Sequence, residues 1–516
     1  MPTQIDRRAK GTDKTLPAPV GGWNANAAIT SMPITDAIRL ENWFPGPTSV
    51  ELRQGHDVHM TQLLGTVKTL AVHRQLDGSS SMWAFTDTGI FEATFGGQSA
   101  GFFLTARTNG KHQWDQFGDG TNNWLIAVNG VDKPWYWNGA TYVEVDGLST
   151  PAITGLTTTD IVSLSVFKEQ LFFIRNDKLG FDYLPKGDAG GAATYFDLAS
   201  IASDGGYLMA VCSWTRDAGS GPDDFWVGIT SEGEAIVYQG TDPASANTWA
   251  LVGVYKIGKP LGRRCVLKKF GGDPIILTQD GAFPLSAVLQ AGDARAKYAL
   301  SFKIQQAFSD AALAAGDVFG WTILSYPERK AIIVNVPIRE DGPHEQYVMN
   351  TITKAWCKFT GWHAEDFAVL DGVLYFSQGN RIFRAWYGTD DNGSDIICTA
   401  VQAYSDFGSG MIKDPVLFKP ILETSQSIDY ATGVDTDFST RGFLGASATV
   451  ENNNGVWGVS LWGQANWVSS GNVQQNWGGT ASWPGRWLSG KLRIVAIGIT
   501  AKWLGSVMRF TQGNGL

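Results

Sequence analysis

A chain of 516 residues, 43% hydrophobic and 12% aromatic, is a folded protein too long for one ordinary core, so two or three structural parts are expected. Its 61 glycines and 21 tryptophans favour β architecture over helix, and no apolar run approaches the length that spans a bilayer. A net charge of -9 argues against a general duplex-coating protein, which would be basic, but not against one through which nucleic acid passes.

Residues 1–22 are rich in Lys, Arg, Thr, Pro and Gly. Met1 to Lys14 has no apolar core of a secretory signal, so synthesis in a cytoplasm is expected. Arg7, Arg8, Lys10 and Lys14 form a small basic arm, read either as a tail or as a segment that drapes over a neighbouring subunit. Residues 23–60 read as a strand through Ile38–Leu40, a Pro/Gly turn at Pro45-Gly46-Pro47, and a second strand at Val50–Leu52.

Residues 61–395 repeat one hairpin. Met82–Phe85 turns at Thr86-Asp87-Thr88-Gly89, and Phe225–Ile229 at Thr230-Ser231-Glu232-Gly233. Ile275–Leu277 turns at Thr278-Gln279-Asp280-Gly281, and Phe367–Leu370 at Asp371-Gly372. Trp124–Val128 runs into Asn129-Gly130, and a weaker copy turns through Lys168-Glu169-Gln170. Glycine supplies the positive φ of tight hairpins, and Asn or Asp beside it tolerates that region. The spacing is that of propeller blades carrying loops of unequal length. One segment departs from it: in 296–315, Leu300, Ile304, Phe308 and Ala311 fall on one face of a helix ended by Gly316. Beyond about residue 400 the hairpins give way to spaced tryptophans, Trp457, Trp462, Trp467, Trp477, Trp483, Trp487 and Trp503. They suit the core of a terminal β domain, a protein interface or a carbohydrate-stacking face. The fold expected is therefore all-β: an arm with platform strands (1–60), an irregular β-propeller body (61–395) and a Trp-rich β domain (396–516).

Signatures of chemistry are sparse. Cys212, Cys265, Cys357 and Cys398 lie far apart in apolar strands and read as buried thiols. The histidines, His56 and His59 included, have no acidic or Cys partner to complete a ligand set, so no metal or other cofactor is expected. There is no P-loop, nucleophile elbow or zincin motif. The acidic pairs Asp223-Asp224, Glu365-Asp366 and Asp390-Asp391 read as solvated loops. The Thr-x-Asp/Glu-Gly turns differ from sialidase boxes, with Ile90, Ala235 and Phe283 where Trp would stand, and read as hairpin geometry. No catalytic residue is assigned. The basic cluster Lys256, Lys259, Arg263, Arg264, Lys268 and Lys269 reads either as a solvated face or as a contact for phosphate or an acidic partner.

The run Ile38-Arg39-Leu40-Glu41-Asn42-Trp43-Phe44-Pro45, closing on Leu52-Arg53-Gln54-Gly55, resembles the opening of the tail nozzle proteins of short-tailed phages, also called tail tubular protein B or packaged-DNA stabilisation proteins. Trp356–Phe359, Phe367–Phe376, Arg381–Arg384, Tyr404–Gly408 and Phe418–Pro420 are similar too, so that the likeness runs through most of 20–440. It implies a virion-tail component without catalysis: a hexameric ring below the portal and adaptor (head-tail connector) protein. The ring would carry genomic DNA through its lumen, retain it until infection, and anchor fibre or spike proteins. In that setting Arg7, Arg8, Lys10 and the Lys256–Lys269 cluster are the candidate contacts. The competing expectations are a glycan-hydrolysing propeller enzyme and a monomeric protein-binding propeller.

Overall fold

The computed structural model describes residues 11–217, 222–268, 270–287, 297–426, 428–446, 472–480 and 483–512. The chain divides into two compact units: residues 58–346 with 362–385, and residues 1–57 with 347–361 and 386–516. The N-terminal and C-terminal parts expected to be separate thus build one unit.

The first of these units is the propeller, an all-β body whose described strands make seven blades. Blade 1 is the meander Val67–Arg74, Ser80–Thr86, Gly89–Glu92 and Leu104–Thr105. Blade 2 runs from Gln113–Gly118 to Tyr142–Glu144, blade 3 from Ile161–Phe167 to Thr194–Asp197, and blade 4 from Leu208–Asp217 to Trp249–Lys256. Blade 5 has three strands, Val266–Leu267, Ile275–Thr278 and Gly281–Pro284. Blade 6 is built on the hairpin Thr322–Tyr326/Ala331–Pro337, and blade 7 on Asp366–Leu370, Val373–Gln378 and Arg381–Ala385. The outer strand of blade 7 is His56–Thr61, which enters this unit at Val58. A boundary at residue 60 therefore cuts off the strand that closes the ring.

Blades stack because each presents apolar side chains on both faces. Val67, Leu70 and Val72 of blade 1 share a core with Ala368 and Leu370 of blade 7. Trp83 and Phe85 pack on Leu125, Ala127 and Trp135 of blade 2, with the Trp83 and Trp135 rings 5.1 Å apart. Ile126 and Tyr136 meet Ile161 and Leu171, and Phe172 and Phe181 meet Trp226 and Trp249. Strands buried on both faces lose the alternation of a one-sided sheet, which is why the sequence shows continuous apolar runs.

The turn threonines explain the repeated signature. Thr86 Oγ1 accepts hydrogen bonds from the backbone N–H of Thr88 (3.2 Å) and Gly89 (3.1 Å). Thr278 Oγ1 accepts from Asp280 N–H (3.2 Å) and Thr230 Oγ1 from Glu234 N–H (3.0 Å). All three threonines are buried. Each hydroxyl takes a donor that the tight turn leaves without a strand partner. The hairpin at Lys168-Glu169 needs no glycine: both residues sit at positive φ, +46° and +61°.

The helix is shorter than its periodicity suggests. A 3-10 turn at Phe302–Ile304 leads into Gln305–Ala315, and the buried residues are Ile304, Phe308, Ala312 and Ala315. Gly316 is right-handed (φ −60°), so it does not act as a left-handed cap.

The other unit packs two sheets face to face. One sheet has the order Trp43–Pro45, Val50–Leu52, Ala501–Gln512, Lys413–Thr424 and Asn472–Gln474. The other runs Trp356–Phe359, Asp36–Glu41, Ile396–Gln402, Leu488–Ala496, Tyr430–Thr436. Gly490 lets them meet: a Cβ there would come within 2.3 Å of the Phe418 ring. Part of the basic arm is a strand here, Thr12–Pro17, antiparallel to Ala501–Gln512 and tied by Asp13–Arg509 (2.6 Å). Trp503 is buried against Trp43, Trp477 lies under Arg509, and Trp483 is exposed. Trp457, Trp462 and Trp467 lie outside the described residues.

The segments of this unit are joined at Arg53. Its Nε donates to Asn42 Oδ1 (2.8 Å), Nη1 to Gln54 O (3.0 Å) and Asp391 Oδ1 (2.8 Å), and Nη2 to Thr360 O (2.7 Å) and Asp391 Oδ2 (2.5 Å). All five guanidinium hydrogens are thus used, and the side chain is buried. Asn42, at φ +59°, also accepts from Thr360 N–H and donates to Ile397 O. His56, which had no acidic partner in sequence, lies 3.1 Å from Asp391. Gly55 has no room for a side chain: a Cβ would lie 1.6 Å from Asp390 O. Asp391 is accordingly no solvated loop residue. Burial raises its pKa, but the hydrogen bonds from Arg53 and His56 and the charge of Arg53 outweigh this and hold it below the ordinary carboxylate value.

Two stability predictions follow from these contacts. Thr230→Val strands the buried Glu234 N–H and is expected to cost about 1–3 kcal/mol in urea unfolding, with Thr230→Ser near wild type. Asp391→Asn leaves Arg53 buried with no anion and is expected to cost about 3–5 kcal/mol at neutral pH. A carboxyl whose folded pKa is depressed stabilises above its unfolded pKa, about 3.9, and loses that contribution as pH falls through the lower folded value. The gap between wild type and Asp391→Asn should therefore be widest at neutral pH and narrow below about pH 4. A gap independent of pH in an unfolding series contradicts this account.

Candidate functional site: the propeller axis

The inner strands of a propeller converge on one axis, and side chains from different blades meet there. In this chain the axis holds a 230 Å³ cavity lined in turn by Gln113, Ser163, Ala210, Val266, Thr322 and Asp366 of blades 2 to 7. Three of the six residues of the basic cluster, Arg263, Arg264 and Lys268, line it. They precede and end the short inner strand of blade 5, so the blade that contributes least backbone contributes most charge.

Arg264 crosses the axis. Its Nη1 lies 2.9 Å from Asp366 Oδ1 of blade 7, and its Nη2 donates to Thr69 Oγ1 of blade 1 (2.7 Å) and to His112 O (2.8 Å). Its guanidinium lies over the Phe319 ring at 4.9 Å. Asp366 also accepts from Leu70 N–H (2.8 Å). Burial keeps its pKa above the ordinary value even though the charge of Arg264 pulls it down. Lys268 reaches Asp115 of blade 2 at 2.6 Å. Lys68 of blade 1 pairs with Asp341 and with Glu365 (3.1 Å) at the start of blade 7. His112, beside Arg264, stays neutral: burial and the charges of Arg107 and Arg264 lower its pKa to about 3.

Arg263 lines the same cavity, and Lys256 and Lys259 fall elsewhere. Lys256 ends the outer strand of blade 4 and pairs with Asp204 (2.8 Å), and Lys259 pairs with Glu232 (2.9 Å). Arg263 donates from Nη1 to Leu208 O (3.3 Å) and Met209 O (3.2 Å) and lies over the Tyr207 ring. Lys269, Arg7, Arg8 and Lys10 lie outside the described residues. Two expectations change. Glu365 and Asp366 are buried counter-ions, because an inner strand starts inside the ring. Arg264 is an internal brace, bound to Asp366, Thr69 and His112, and not part of a solvated face.

Among the described residues no group of His, Cys, Asp and Glu is placed to hold a metal ion. Cys212 and Cys265 are buried, with burial pushing both thiols up to about 12. Asp366, Asp115 and Glu365 are each held by a cation of another blade: Arg264, Lys268 and Lys68. Sequence reasoning missed Lys68, Glu365 and Asp366, whose only signal is a charge at the rim of an apolar strand.

No family model matches the chain, and no curated protein matches it. Among solved structures it is similar to YCF48 bound to D1 peptide (9% identity, TM-score 0.36, 64% of this chain and 94% of that one). It is also similar to BBS1N in complex with ARL6DN (8%, TM-score 0.39, 66% and 98%). YCF48 from Cyanidioschyzon merolae follows at 10%, TM-score 0.26, 66% and 97%. At these scores no inference is taken from the likenesses; the all-β propeller rests on the chain's own sheet order.

Arg264→Met removes the counter-ion of a buried carboxylate and is expected to destabilise the propeller by about 3–5 kcal/mol in urea unfolding. The double change Arg264→Met with Asp366→Leu should recover much of that loss. A double-variant cost equal to the sum of the Arg264→Met and Asp366→Leu costs would show that the pair is not coupled.

Proposed function

We propose that this chain is a non-catalytic structural subunit of the tail nozzle of a short-tailed phage. Identical copies form a hexameric ring that meets the adaptor, bears fibres or spikes, and passes genomic DNA through the lumen between subunits. The observation that carries the reading is the nature of the residues on which the family resemblance rests. Asn42, Arg53 and Gly55 are not loosely compositional: one sits at positive φ, one has every N–H engaged, and one has no space for a Cβ. A resemblance at such positions concerns the construction of the unit.

The propeller axis favours a scaffold over an enzyme. Asp366, Asp115 and Glu365 are each neutralised by a cation from another blade, an arrangement that rigidifies. The axial cavity of 230 Å³ is also far too small for a duplex whose major groove alone is about 12 Å wide, so a DNA conduit would lie between copies and not along a propeller's own bore. Closed rings of identical heterologous contacts supply such a lumen.

Purified full-length protein, alone and with the adaptor of the same phage, is expected to sediment as a hexamer and to image as a six-fold ring. A monomer under both conditions contradicts the reading. Release of reducing sugar from a glycan panel would support the enzyme instead.

A further inference from the structure

The axial cavity holds polar groups that the crossed ion pairs do not use. Ser163 of blade 3 and Thr322 of blade 6 line it and are only 6% and 9% exposed. Neither hydroxyl has a hydrogen-bond partner among the described residues, and neither is sealed off as a buried orphan atom, so both stay open to the cavity. The Gln113 amide of blade 2 is unpartnered in the same way and lines this cavity and its neighbour. Buried polar side chains are rarely left without a partner, so three of them from three blades, facing one space, mark a place where a polar species is held.

Charge decides which species. The lining carries Arg263, Arg264 and Lys268 against one carboxylate, Asp366. Arg264 holds Asp366, and Lys268 is held by Asp115 from outside the lining. No carboxylate lies within salt-bridge distance of Arg263 among the described residues; Asp177 acts on it from further off. Positive groups therefore outnumber negative ones on this lining even with Asp115 counted. Asp317 lines the neighbouring 350 Å³ cavity and not this one. A cation is thus repelled and an anion drawn in, more strongly than in bulk water because the walls are of low dielectric.

Size and donor geometry narrow the anion. At 230 Å³ the cavity is smaller than the pockets that take drug-sized ligands, about 300–1,000 Å³, so it suits one small anion with its waters and not a nucleotide. Hydroxyl, amide and guanidinium donors arrive from blades 2, 3, 5 and 6. A tetrahedral oxyanion has enough acceptor atoms to satisfy donors from several directions at once. We propose that the propeller axis binds one inorganic oxyanion, phosphate or sulfate, with Ser163, Thr322 and Gln113 donating to it and Arg263, Arg264 and Lys268 supplying the charge. One ligand then ties four blades together. The inference goes beyond the nozzle reading and does not rest on it.

Titration calorimetry on the full chain tests this with sodium phosphate, sodium sulfate and sodium chloride in a buffer free of other multivalent anions. Phosphate or sulfate is expected to bind saturably, at one site per chain, and at least about tenfold more tightly than chloride. Tighter phosphate assigns a ligand that donates its own hydrogen to Asp366; tighter sulfate assigns a fully ionised one. Ser163→Ala with Thr322→Val removes both hydroxyls and keeps every charge. With an unchanged melting temperature in chloride, that variant should bind the oxyanion about tenfold more weakly or worse. If it does not fold, Ala210→Leu, which fills the cavity from blade 4 and leaves the polar groups in place, should abolish binding. No saturable heat with either salt, chloride binding as tightly, or affinity unchanged in a folded variant overturns the proposal. So does a rise in melting temperature that never saturates and is shared by the variants, since exclusion of these salts from the protein surface produces that alone.

Discussion

Closing a ring of blades drives the inner edges of seven sheets together, and any charge brought there must find its partner on another blade. That constraint organises the propeller. Blade 5 has the shortest inner strand, and its neighbouring cations reach out: Arg264 to blades 1 and 7, Lys268 to blade 2. The ion pairs replace backbone that the short strand does not supply. Such pairs add modestly to net stability over an apolar filling, but breaking one leaves an uncompensated buried charge, so they fix which blade sits where. The closing strand His56–Thr61 acts to the same end from the rim.

The other unit solves a related problem with a single residue. Its strands come from three stretches separated in sequence by most of the propeller. Arg53 donates to acceptors from all three: Asn42 and Gln54 near the N-terminus, Thr360 in the middle, Asp391 beyond. Lysine could keep the charge but not the planar fork that serves four acceptor residues at once.

Much of the propeller was legible in the sequence because its signals are local. The Thr-x-x-Gly turns at Thr86, Thr230 and Thr278 are made by one side chain acting on its own backbone, so pattern and structure coincide. The glycine-free turn at Lys168-Glu169 was the weaker case because the positive φ there carries no compositional mark. What was not legible is long-range. Nothing near His56 announces that it belongs beside Arg381–Ala385, and nothing near Thr12 announces a partner at the far end of the chain. The charges misled for the same reason. A Lys/Arg cluster and adjacent acids look solvated when each is read alone. Here Arg264 and Asp366, about a hundred residues apart in sequence, prove to be each other's solvation. Arg263, which donates to the Leu208 and Met209 carbonyls, is distinguishable from its neighbour Arg264 only once the blades are in place.

These points bear on function together. A scaffold needs rigidity without an open reactive centre, and the axis supplies crossed ion pairs around a small cavity. Under the nozzle function proposed above, a conduit for DNA would be built from several copies and would lie outside each propeller's own axis. A density map of the assembled oligomer in DNA-filled particles tests this most directly. The account expects DNA density on the symmetry axis between subunits and side-chain density filling every propeller axis at Arg264 and Asp366. Nucleic-acid density threading a propeller's own axis, or a single copy with no symmetry-related neighbours in the particle, would contradict it.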